Sequence, residues 1–314
     1  MRLLRVGCFG VAGVPDGIYP FGPPGSDEPF YFVLVTGPAA SGKTRLLEAI
    51  IAAKEVIAPT DADVRASAFL LPGADTARVE MAWVLDDDNG LVRFHDKVIE
   101  AEVVFGGEPE PEGVLSFELS VYAHGPDAPK LEYFHAHRRL DPWGLPLGLD
   151  PGTHRPLRAS GSARKYAFVA PLLRRIAVTG EREAFVHRLA ALGATCSFDA
   201  ASAAEGGPPF RSRRGAPLGL GELSSGDEDA VIFAATATLV GLDRSLVLVD
   251  RPEMFLPLAP AALPAALCAL GRGAQVIAAS ASPALRAAVP PAQVVTLGSL
   301  ATSLPSPSAS RSLR

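Results

Sequence analysis

The chain has 314 residues, of which 48% are apolar and 20% charged, and a formal net charge of −5. That composition is globular, and the acidic balance argues against wholesale electrostatic binding of nucleic acid, though not against a local basic face. Cys8, Cys196 and Cys268 stand far apart without metal-ligand spacing, so neither a disulfide framework nor a zinc site is expected. No apolar run is long enough to span a membrane, and a reducing, cytoplasmic setting is expected.

Leu3–Val11 reads as a first strand, because its apolar stretch is too short and too broken by Arg5 for a leader. Val14–Asp27 is rich in Gly and Pro and reads as loop. The apolar run Phe30–Thr36 then leads into Gly37-Pro-Ala-Ala-Ser-Gly-Lys-Thr44, followed by the amphipathic Arg45–Ile51. A buried strand, a Gly-bounded loop and a helix in that order are what a phosphate-binding P-loop requires. Gly37 and Gly42 let the main chain turn tightly around a phosphate chain. Lys43 is placed to reach the β- and γ-phosphates, and the Thr44 hydroxyl to bind Mg²⁺. Pro59 ends the helical pattern.

Thr76–Leu85 and Leu91–Phe105 alternate apolar and polar residues around a tight turn, Asp87-Asp88-Asn89-Gly90. With Val114–Tyr122 they predict a half-solvated, largely acidic antiparallel insert over about 76–122. Leu131–Leu140 is a short strand ending in His135, His137, Arg138 and Arg139, a polar cluster suited to a phosphate or a partner. A His-x-His pair also has metal-ligand spacing, but no third ligand is evident. Asp141–Ser162 and Ala200–Pro217 read as loops, and Phe168–Ala177 and Glu181–Leu192 as helices, within a helical and loop lobe over about 141–240. The stretch Arg138–Arg188 is locally basic, either a solvated face or a contact with nucleic acid or an acidic partner. Leu223-Ser-Ser-Gly-Asp-Glu228 opens a helix running to about Val240. Arg244–Asp250 is an apolar strand ending in an acid, Gln275–Ser280 is a second buried strand and Gln293–Leu297 the last. Residues 1–298 are expected to form one head, with a disordered Ser-rich tail over 299–314.

GPAASGKTRLLEAI, LSSGDE at 223–228, LVLVDRPEMFL at 246–256 and QVIAASASPAL at 275–285 occur in that order. Together they resemble the ABC-type ATPase heads of the branch that holds RecF-type repair proteins, structural-maintenance-of-chromosomes (SMC) heads and the "AAA family" ATPases of bacterial defence systems. The resemblance implies an α/β P-loop fold of ABC-ATPase type, with a mixed central sheet, an antiparallel β insert and a helical signature lobe. It implies ATP and Mg²⁺ as cofactors. Gly37, Pro38, Ala39, Ala40, Ser41, Gly42, Lys43, Thr44 and Arg45 would hold the nucleotide, and Thr44 and Asp250 the metal. Two heads would pair head to tail, with Ser224, Ser225 and Gly226 of one facing the γ-phosphate held by the other. Without the resemblance, LSSGDE reads as a capped helix start.

The chain departs from that pattern where hydrolysis is concerned. The family's glutamate after the Walker B aspartate is Arg251 here, and an arginine cannot accept a proton at neutral pH. The family's switch histidine aligns with Ala281. A water-sensing glutamine between P-loop and signature is missing, since Gln275 and Gln293 are the chain's two glutamines. Glu253 is the remaining candidate base, although two residues along the chain it should point elsewhere. Arg251 could instead pair with the γ-phosphate. These losses predict an ATP-binding head with little or no turnover, working as a homodimer or beside a heteromeric effector subunit in a defence or DNA-processing complex. The alternative is an active ATPase in DNA repair or chromosome maintenance, touching DNA through Arg138–Arg188 and Arg211–Arg214. The interval from Thr44 to Leu223 shows no sustained heptads, so a compact head is expected.

Overall fold

A computed structural model describes the protein over residues 1–60, 65–84, 98–106, 130–141 and 145–298. The described strands are β1 (Arg2–Phe9), β2 (Gly17–Pro20), β3 (Phe32–Thr36), β4 (Ala77–Val84), β5 (Val98–Phe105) and β6 (Leu131–Phe134). There follow β7 (Ser197–Phe198), β8 (Phe210–Arg211), β9 (Pro217–Leu218), β10 (Leu246–Asp250), β11 (Gln275–Ala279) and β12 (Val294–Thr296). The longer helices are α1 (Lys43–Ile57), α2 (Val169–Val178), α3 (Arg182–Ala191) and α4 (Ser225–Thr236).

Five strands make a parallel sheet in the order β12-β3-β11-β10-β6. Strands in such a sheet are covered on both faces, which explains why β3, β10 and β11 are apolar through their centres, while β6 carries one buried charge, Glu132. Alternate residues divide between two cores. Val33, Val35, Leu246, Leu248 and Ile277 face α1 and the second sheet, whereas Phe32, Leu34, Val247, Val249 and Val276 face α2, α3 and α4. The register sets Asp250 beside Ala279, Ala279 beside Val35 and Val249 beside Phe134. The carboxyl ends of β3, β11, β10 and β6 therefore share one edge, where open α/β sheets bind ligands.

The second sheet is antiparallel, in the order β2-β1-β4-β5. Parallel and antiparallel pairings thus lie in separate sheets, and the antiparallel one draws two strands from the first twenty residues. Gln275 ties the sheets together: its amide nitrogen donates to Leu3 O (2.8 Å) and Phe30 O (3.1 Å), and its oxygen accepts from Leu3 N (2.6 Å).

Three predicted loops carry structure. Val14–Asp27 contains β2, held by pairing with β1. Ala200–Pro217 contains a helical turn, Ala200–Ala204, capped by Asp199, and strand β8, and runs into β9; β8 and β9 join β7 in a small sheet. Asp141–Ser162 contains the turns Pro151–His154 and Arg155–Leu157. α4 ends at Thr236 and continues as a π turn to Gly241. The Asp87–Gly90 turn, the Val114–Tyr122 strand and the 299–314 tail lie outside the described residues.

Candidate nucleotide site

β3 delivers the chain to Gly37 and α1 leaves from Gly42. Gly37 has φ +152° and Gly42 φ +90°. A Cβ on Gly42 would lie 2.1 Å from Gly13 O, and one on Gly37 2.6 Å from Leu297 O. Both positions need glycine for backbone angle and for space. Pro38, Ala39 and Ala40 form an exposed crest, while Ser41 is buried. Lys43 Nζ donates to Gly37 O (3.1 Å), Pro38 O (2.6 Å) and Ser41 Oγ (3.3 Å), which folds the lysine back over the loop. Burial lowers its pKa; Asp250 opposes that shift and Arg251 adds to it. α1 starts without a side-chain cap and without an acid in its first turn. Its amino end therefore offers backbone N–H groups and positive dipole to an anion.

Thr44 and Asp250 are 206 residues apart in sequence, yet the Thr44 hydroxyl donates to Asp250 Oδ2 at 2.8 Å. Burial raises the Asp250 pKa, against the Thr44 hydrogen bond and the charges of Arg251 and Arg138. A hydroxyl and a carboxylate at the foot of a phosphate cradle suit Mg²⁺, a hard cation that takes one or two protein oxygens together with substrate phosphates. Arg251 follows in the left-handed region (φ +50°), its N–H bonded to Ala279 O at 2.8 Å and its side chain exposed. Such a conformation costs a non-glycine residue about 1–2 kcal/mol and tends to cluster at functional sites. Glu253 turns away in the 3₁₀ turn Pro252–Met254 and accepts from Ser280 Oγ at 2.5 Å. Arg45 is held internally by Ala12 O (3.1 Å), Glu48 (3.0 Å), Ala68 O and the Phe69 ring.

A cavity of about 620 Å³ opens beside this pair, lined among others by Thr44, Asp250, Arg251, Tyr133, His135 and His137. The histidines reach it because β6 runs parallel beside β10. No group of three metal-ligating side chains exists among the described residues. His135 is buried, and its Nδ1 accepts from His137 N at 3.1 Å, which leaves the proton of the neutral ring on Nε2. Burial, reinforced by Lys165, Arg138 and His137, pushes its pKa down to about 4 from an ordinary 6.5. An unfolded chain therefore binds this proton more readily than the native one between those values. Stability is expected to fall as pH drops from about 6.5 to about 4. In urea titrations at pH 7 and pH 5, His135→Asn, whose carbonyl can replace the Nδ1 acceptor, should lose less stability than the parent between the two pH values. Equal losses would contradict the assignment.

Ser224, Ser225 and Gly226 lie at the amino end of α4, with both serines exposed. They are not brought to this chain's own P-loop cavity. Ser224 caps the helix, accepting from Asp227 N (3.2 Å) and donating to Asp227 Oδ2 (2.7 Å). Asp227 also accepts from Thr195 N (2.5 Å), Thr195 Oγ1 (2.9 Å) and Cys196 N (3.2 Å). Burial alone would raise its carboxyl, but these donors outweigh it and hold the pKa low. A Cβ on Gly226 would sit 3.0 Å from Phe255 O, so the signature glycine lets α4 pack against the chain that leaves β10.

The basic stretch after β6 is divided: Arg139, Arg164, Arg174 and Arg182 are exposed, and three others are internal. Arg138, Arg158 and Lys165 are buried. Lys165 Nζ pairs with Glu132 and donates to Tyr133 O and Arg158 O, both at 2.5 Å. Arg211, Arg213 and Arg214 are exposed.

This arrangement is the fold of an ABC-type P-loop ATPase head. In comparison with solved structures, the chain is similar to an SMC head bound to the C-winged helix domain of ScpA, with a TM-score of 0.53 at 13% identity over 92% of this chain and 93% of that one. It also matches the SMC head domain from Thermotoga maritima (TM-score 0.46, 15% identity, 95% and 94% covered). A third match is the recombination mediator protein RecF (0.42, 12%, 90% and 92%). The first of these carries the fold assignment. No family model matches the chain, and no curated protein matches its sequence.

Proposed function

We propose that this head binds Mg²⁺–ATP at Gly37–Thr44 and uses it to close on a second head, most directly another copy of the same chain, with little or no hydrolysis. The observation that supports this most is the Thr44–Asp250 contact at 2.8 Å beneath the P-loop, followed by Arg251 at the position of a water-activating glutamate in the resembled family. The residues for holding a terminal phosphate and its cation are in contact, while those for activating water are replaced. Lys43 and the amino end of α1 neutralise the phosphates, and Thr44 and Asp250 hold the cation. Arg251, beside Asp250, adds positive charge on the open side. In the paired form, Ser224 and Ser225 with the backbone N–H groups at the start of α4 meet the γ-phosphate of the opposite head. Nucleotide binding then stabilises association by mass action. An SMC head that holds a winged-helix partner supports a variant in which an effector subunit joins the closed pair.

Calorimetric titration with Mg²⁺–ATP tests the binding step. Removing one charge-assisted contact costs about 2 kcal/mol, so Lys43→Ala should bind about 30-fold more weakly than the parent. Equal affinities would remove the P-loop from the mechanism.

A further inference from the structure

Arg138 reaches farther than the site requires. Its side chain is fully buried and spends its donors on three elements at once. Nε and Nη2 grip the Asp229 carboxylate, the latter at 2.8 Å. Nη1 donates to His135 O (3.0 Å) and to Asp250 O (2.9 Å), and Nη2 also to Arg251 O (3.3 Å). The guanidinium lies 5.0 Å from the centre of the Phe233 ring. Asp229 and Phe233 are four residues apart, one face of α4. The next two residues continue the attachment. Arg139 Nη1 pairs with Glu228 Oε2 at 2.8 Å, and Leu140 N donates to Glu228 Oε1 at 2.7 Å. One rigid fork thus joins the carbonyls of the two residues at the foot of the phosphate site to the first turns of the signature helix.

A buried ion pair is a costly way to fill a core, because apolar residues of similar volume often serve stability equally well. What an arginine adds is direction: five donors in one plane fix its partners relative to each other. If Asp250 shifts when phosphate and cation arrive, its carbonyl must carry the fork along or break from it, and the fork is bonded to α4. Resting on the nucleotide-binding reading above, we propose that Arg138 is a positioning residue. It couples occupancy of the P-loop site to the setting of Ser224–Gly226, and so to the surface offered to the opposite head. This is a specific contact between two sites through one two-ended element, the form of coupling that a direct test can reach.

The test is hydrogen exchange on the full chain with and without Mg²⁺–ATP, read at residues 37–44 and at 224–229. The parent should change at both. The double variant Arg138→Met with Asp229→Leu replaces the buried pair by apolar groups. It should keep nucleotide affinity within about threefold of the parent and keep the change at 37–44. It should lose the change at 224–229. Arg138→Lys, which keeps a charge opposite Asp229 without the fork, should retain less than half of that change and guards against a double variant that fails to fold. A merely structural role would shift both states of a variant alike and leave the nucleotide-induced difference intact. A parent-sized change at 224–229 in either variant overturns the proposal, as does a parent that responds at 37–44 alone. A parent that binds no nucleotide overturns the reading on which it rests.

Discussion

Gly42→Ala is expected to weaken Mg²⁺–ATP binding by at least about 100-fold, and Gly73→Ala to leave it unchanged. The two glycines have nearly the same backbone angle, φ +90° and +81°. Each substitution therefore carries the same left-handed penalty of about 1–2 kcal/mol. They differ in what a methyl group meets. At Gly73 nothing lies within 4 Å, whereas at Gly42 the Gly13 carbonyl oxygen would be 2.1 Å away. That contact is with backbone and cannot be relieved by a rotamer change, so the loop itself must move. Gly42 caps α1, and a displaced cap turns the first N–H groups of the helix away from the phosphates that the preceding residues enclose. Titration of both variants, with circular dichroism to confirm the fold, separates strain from site geometry. Parent-like binding by Gly42→Ala would mean that the loop adapts and that its observed shape is not what holds nucleotide.

Arg251→Glu should raise phosphate release by about 100-fold over the parent, the low end of what a positioned general base supplies. The low end is expected because Ala281 and the missing glutamine remain uncorrected. The side chain at 251 leaves a backbone position one residue beyond Asp250 and lines the same cavity as Thr44; on the proposed nucleotide reading a carboxylate there would face the water that meets the terminal phosphate. Arg251→Ala should give no such gain, since it removes a charge without adding a base. Single-turnover assays at saturating ATP distinguish these cases. Brisk release by the parent that survives Arg251→Ala and disappears in Glu253→Gln would assign the base to Glu253, whose carboxylate is held by Ser280.

The P-loop, strand β10 and the opening of α4 were legible because each is a local pattern: a glycine-bounded turn, an apolar run and a serine-capped helix. The Thr44–Asp250 contact was legible only through order along the chain, since 206 residues separate the partners. What the sequence hid is of two kinds. β2 lies in a Gly- and Pro-rich stretch, and β7, β8 and β9 have two residues each, too short for a period of two to appear. Long-range pairing, not local propensity, makes them strands. In the sequence Arg138 falls in a polar cluster that suggests a phosphate or a partner, because charged side chains are seldom fully buried unless paired. Its pair, Asp229, lies 91 residues away, with nothing local to reveal it. His135 and His137 had a visible signal, polar residues just past the short strand Leu131–Phe134. That they line the same cavity as Asp250 depended on β6 lying parallel to β10.

Nucleotide-driven closure without appreciable turnover is read from mass and phosphate together. Light scattering on the purified protein, with and without Mg²⁺–ATP and with Lys43→Ala as the control, tests it most directly when phosphate release is followed in the same samples. The mass should double with ATP in the parent, stay single in Lys43→Ala, and be accompanied by almost no phosphate. A mass indifferent to ATP together with rapid phosphate release would contradict it and point to an ordinary ATPase acting as a single head.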